Sequence, residues 1–119
     1  CGPACIAMIA GISYPDAVAL IKKRHRGEEL YTHWRHLRGA LTELGVPYGD
    51  SLSRIRARRW DAISTLSIVK CGQWGGEENY WHWVVYDGTS GLLYDPLKDG
   101  PLKPDGRHRK PRMHLPILG

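Results

Sequence analysis

The chain has 119 residues, 42% hydrophobic and 24% charged, a composition that fits one ordinary globular domain and excludes a disordered polymer. Seventeen Lys and Arg stand against twelve Asp and Glu, for a formal charge of +5, and much of the excess sits in RIRARR (54–59) and RHRKPR (107–112). The longest apolar run, ACIAMIAG, is far short of the ~20 residues of a membrane span and lacks the basic stretch that opens a secretion signal, so no membrane span is expected.

In chain order, the opening CGPACIAMIAG predicts a buried helix from Gly2 or Pro3 to Ala10, with Pro near the first helical position and Gly11 ending it in the left-handed conformation. A second helix follows Ser13: Asp16 completes a capping-box pattern, Ala17, Val18, Leu20 and Ile21 form a stripe, and Lys22, Lys23 and Arg24 suit its C-terminal end. A third begins after Thr32, with Leu37, Ala40, Leu41 and Leu44 on one face and Gly45 as the stop. The helical part therefore covers about 1–45. DAIS (61–64) suggests a short helical turn. Beyond it, LSIVKC (66–71) has strand composition, and YWHWVVYDG (80–88) is the strongest strand, joined by a DGTSG turn to an antiparallel partner in GLLYDP (91–96). The segment from Leu97 to Arg112 reads as an exposed loop and MHLPIL as a short edge strand. Helices first and sheet second (about 66–119) give a single α+β domain over 1–119, N-terminal helices packed on an antiparallel β-sheet.

Three cysteines are an odd count, which argues against a disulfide framework and for a reducing compartment. Cys1 lies at a helix entrance, where unsatisfied amides and the helix dipole lower a thiol pKa. Cys5, one turn along an apolar stretch, reads as inert core. C-x-x-x-C without a preceding strand is a poor redox pair, and Cys71 has no second ligand at zinc-finger spacing, so neither metal nor cofactor is expected. A thiolate nucleophile needs a base and an orienting group. His82, in the best strand, shares a face with Tyr80, Val84 and Tyr86, and Asp95 ends the hairpin partner within reach of it. Each has a plainer reading, a sheet histidine and an Asp-Pro turn. His25, His33, His36, His108 and His114 read as surface residues with no carboxylate placed to orient them. Trp81 and Trp83 point to the other face as packing residues.

With CGPACIAMIAG, HWVVYDG and LLYDP in this order, the chain resembles the papain-like cysteine peptidase domains that remove double-glycine leaders from bacteriocins, many of them carried at the front of peptide-exporting ABC transporters. The resemblance runs from the first residue to about Pro96 and implies a papain-like fold. It makes Cys1 the nucleophile, His82 the general base and then acid, and Asp95 the orienting group of a hydrolase acting through a thioester. The family also binds the oxyanion with a glutamine just upstream of the cysteine; the only Gln here is Gln73, which does not match. The oxyanion donor then lies in residues preceding this sequence, or it is the helix N-terminal amides with the nitrogen of Cys1. One such donor is worth ~10²–10³ in rate. A free α-amine at Cys1 is an alternative base.

The expected function is that of a thiol protease or amide hydrolase acting on peptides, either a bacterial processing enzyme or the toxin domain of a larger secreted protein. Its location is then cytoplasmic or that of the parent protein. Its partners would be a peptide or protein substrate and an acidic immunity or inhibitor protein. The alternative is a catalytically idle papain-like domain that binds a peptide or protein. A nucleic acid is the least expected partner, because the basic runs read as a solvated face without a recognisable reading helix or aromatic-studded sheet.

Overall fold

The computed structural model describes residues 2–22, 33–49, 53–55, 59–72, 81–97, 100–104 and 111–118. Helix α1 (Gly2–Ala10) buries Gly2, Pro3, Cys5 and Ile6 and stops where Gly11 takes φ 69° and its N–H reaches the Ala7 carbonyl at 2.9 Å. Glycine carries no Cβ penalty in that left-handed conformation. Burial is not complete all round, because Met8 remains 43% exposed. Helix α2 (Tyr14–Lys22) begins as its sequence implies, with the Asp16 N–H donating to Ser13 Oγ at 3.2 Å, which satisfies one of the orphan amides of the first turn. Ala17 and Ile21, four apart, face inward. Helix α3 (Trp34–Glu43) buries His36, Leu37, Ala40 and Leu41.

The sheet follows. Strands β1 (Ser53–Arg54), β2 (Leu66–Gly72), β3 (Trp81–Asp87), β4 (Leu92–Tyr94) and β5 (Pro111–Pro116) form one antiparallel sheet in the order β1-β5-β2-β3-β4. A short 3-10 turn at Trp60–Ala62 precedes β2, overlapping the DAIS segment at Asp61 and Ala62, where a helical turn was expected. The last strand is not an edge. It lies between β1 and β2, pairing Ile68 with Leu115 and Val69 with His114. The proline of MHLPIL, Pro116, closes the strand and Pro111 opens it, so at both ends a missing N–H breaks no interior rung of the ladder.

Strand β3 is buried at every interior position from His82 to Tyr86 because both faces of the sheet are covered. Trp83, Val85, Ile68 and Leu115 pack with Cys5, Ile6, Ala17, Ile21, Leu37 and Leu41 of the three helices. On the reverse side Val84, Tyr86, Val69, Cys71 and Leu93 pack with Ile55 and Ile63, and Trp60 and Leu102 lean on them from irregular segments. Two-sided burial explains the imperfect alternation of LSIVKC and WHWVVYD. No helix among the described residues is long and apolar enough to cross a membrane.

Candidate active site

Antiparallel pairing sets the site. Val85 faces Tyr94 and Tyr86 faces Leu93, so Asp95, one residue past β4, arrives beside the first half of β3, on the side of Leu93. There His82 Nε2 and Asp95 Oδ1 meet at 2.7 Å. Their side chains are only 5% and 1% exposed, and a buried carboxylate with an imidazole N–H partner is a strong, charge-assisted contact. The Leu97 N–H also donates to Asp95 Oδ1, at 2.9 Å. The Asp-Pro segment is thus both a turn and an orienting group, because the same oxygen closes the turn and holds the ring. With Nε2 donating to the carboxylate, Nδ1 is the ring nitrogen left for proton transfer.

The first helix comes to the same end of the sheet. Burial pushes the Cys5 thiol far above its ordinary value, and the charge of Asp95 adds to the effect. Cys71, opposite His82 in the β2–β3 ladder, is pushed up to about 12, first by burial and then by Asp95. Both are buried free thiols and poor nucleophiles at neutral pH, since the thiolate is the reactive form. Cys1, the expected nucleophile, lies outside the described residues, as do His25, His108, Trp74, Gln73 and Tyr80. The structure therefore brings together two of the three expected side chains.

Other expectations need correction. His36 is not a surface residue: it is 5% exposed, and its Nδ1 accepts the His33 N–H at 3.1 Å, capping α3 in the role usually taken by an acidic or amide side chain. His114 is half-buried within β5. The two tryptophans expected to pack do so: Trp83 is 1% exposed in the core, and Trp81 packs against it partly buried, its ring under the Lys70 ammonium at 4.6 Å. Of the basic runs, Arg54 and Arg59 are exposed, Arg59 paired with Asp61 at 2.7 Å. Arg112 is drawn partly off the solvated face and packs half-buried over Gly72.

An open apolar groove of about 330 Å³, lined by Met8, Ile9, Leu66, Val85 and Tyr94, runs between α1 and the sheet. Among the described residues no group of three His, Cys, Asp or Glu side chains is placed to hold a metal ion. Comparison with protein-family models, with curated proteins and with solved structures returns no match to this chain.

Proposed function

We propose that this chain is a papain-like cysteine peptidase or amide hydrolase in which Cys1 attacks, His82 transfers protons and Asp95 orients the imidazole. The observation that carries the reading is the buried His82–Asp95 contact, made through Nε2 and locked by the Leu97 N–H. One carboxylate oxygen takes both the ring and the Leu97 N–H, which fixes where the imidazole points. In the reaction the Cys1 thiol yields its proton to His82 Nδ1 and the sulfur forms a bond to the peptide carbonyl carbon. The C–N bond then breaks, and the departing amine takes the proton back from His82. Water, deprotonated by the same nitrogen, hydrolyses the thioester and restores the thiol. Asp95 stabilises the imidazolium in each half without itself changing protonation.

The test is thiol selectivity coupled to turnover. Iodoacetamide should modify Cys1 in the native protein well below pH 8 while Cys5 and Cys71 react only in denaturant, and Cys1→Ala should abolish cleavage of fluorogenic peptide amides without unfolding the domain. Native labelling that follows an ordinary thiol titration, with peptide binding intact in Cys1→Ala and no cleavage by either protein, would instead establish the idle, peptide-binding domain.

A further inference from the structure

Outside this site, two cations share one spot on the helix side of the sheet. The β2–β5 ladder pairs Lys70 with Met113 but Cys71 with Pro111, leaving Arg112 as the extra residue of a bulge. A bulge re-aims the side chain it carries. Here it lays Arg112 over Gly72, where a built Cβ would overlap its Nε, Cδ and Cζ atoms. The guanidinium Nε is thereby buried with no hydrogen-bond partner, a placement that costs free energy. Lys70 stands two residues before Gly72 on the same strand face, its ammonium over Trp81, which also meets the His33 ring at 5.7 Å. Burial, and then the charge of Arg112, hold the Lys70 ammonium below its ordinary range. Among the described residues neither cation has an ion-pair partner. Two like charges that feel one another, one of them beside an unsatisfied N–H, are unfavourable until an anion joins them.

We propose that Lys70 and Arg112 form a carboxylate site for an acidic peptide segment, with Trp81 as its apolar wall. A single two-cation spot with a planar guanidinium fork matches one carboxylate, whereas a nucleic acid calls for a track of cations along a backbone. Because only the Nε of Arg112 is sealed and both residues are half-buried, the ligand meets the outer guanidinium nitrogens and the ammonium. The bulge and the bare Gly72 are the devices that make room for this pair.

The site is tested by equilibrium binding, independently of turnover. The probes are a labelled Asp-rich octapeptide, the same peptide with Asn for Asp, and inorganic phosphate as competitor, all at low salt. The Asp peptide should bind and the Asn peptide should not. Lys70→Gln and Arg112→Gln should each weaken binding by about tenfold or more, the value of one charge-assisted hydrogen bond. Lys103→Gln, at an exposed lysine elsewhere, should change it less than about twofold. Gly72→Ala keeps every charge but displaces Arg112, and should weaken binding as Arg112→Gln does. The peptide should also shift the Arg112 Nε–Hε resonance of the unaltered protein, a readout that holds even if a variant fails to fold. Equal losses in Lys103→Gln, full binding in Gly72→Ala, an unmoved Arg112 resonance, or displacement by equimolar phosphate would each overturn the assignment.

Discussion

The two faces of β3 do different work. Toward the helices, Trp83 and Val85 meet a continuous apolar layer from α1, α2 and α3. On the reverse, Val84 and Tyr86 share their side with His82 and receive a thinner cover from a 3-10 turn, the segment around Leu102 and the hairpin partner. The difference teaches where a buried polar pair is affordable. A helix layer presents few spare backbone donors, because its amides are used internally, whereas a strand end turning into a loop supplies one, the Leu97 N–H on Asp95.

The largest effects should fall on the polar side and appear in activity. His82→Ala should leave no measurable turnover, and Asp95→Ala should lower it by ~10²–10⁴, the usual worth of positioned proton transfer. Asp95→Asn sharpens the comparison. Since Oδ1 already takes the Leu97 N–H, the asparagine carbonyl is held at that position and still accepts from His82 Nε2, so turnover should stay within about tenfold of the parent. A collapse as deep as that of Asp95→Ala would show that charge, not orientation, is what Asp95 supplies. Initial rates on one fluorogenic peptide amide, with circular dichroism as the folding control, read all three.

On the helix side the effect should appear in stability. Trp83→Ala empties a site fully enclosed by the helices and the sheet, and should cost about 3–5 kcal/mol in urea unfolding. That is a large share of the ~5–15 kcal/mol by which a domain of this kind is held together. If Trp83→Ala proves no worse than a surface change, the helix layer is not the stabilising face. Next comes Gly88→Ala, just beyond β3. A Cβ there would overlap the Ile63 carbonyl oxygen and the Ser64–Thr65 backbone, which cannot rotate away as a side chain can. A loss of about 1–3 kcal/mol is expected by the same unfolding measurement.

Much of this was legible in the residues, for reasons that differ by element. The helices were readable because their signals are local: Gly11 and Gly45 sit at φ 69° and 71° as helix stops, and Ser13 caps α2. The His82–Asp95 contact was readable because a DGTSG turn fixes which residues of a hairpin oppose one another. The place of β5 was not, since nothing in MHLPIL says which strand it will pair with once some fifteen intervening residues have been crossed. Arg112 was hidden for a related reason. As the end of RHRKPR it looks solvated, and only the bulge against Cys71 turns it inward. His36 was missed because its back-bond from the third helical position depends on ring orientation, where a Glu or Gln would ordinarily signal it.

The smallest effect should arise at the hairpin that joins the two strands carrying the dyad. Asp87 Oδ1 accepts from Thr89 Oγ1 at 2.7 Å and from the Thr89 N–H at 3.0 Å, and Oδ2 accepts from Ser90 Oγ at 3.0 Å. These bonds favour the ionised form and hold its pKa below the ordinary carboxylate value, the Thr89 hydroxyl contributing most. A carboxylate whose folded pKa is depressed adds stability above its unfolded pKa and loses it as pH falls through the folded one. The hairpin should therefore loosen only in acid, below the usual aspartate range. Because the group is exposed the contribution is small, and high salt should weaken it further. Amide exchange at Thr89 and Gly91 is the local readout: protection should decline on acidification in the parent and lose that dependence in Asp87→Asn. If protection in the variant still falls over the same pH window, the titrating group lies elsewhere, and the turn that aligns Asp95 with His82 does not depend on Asp87.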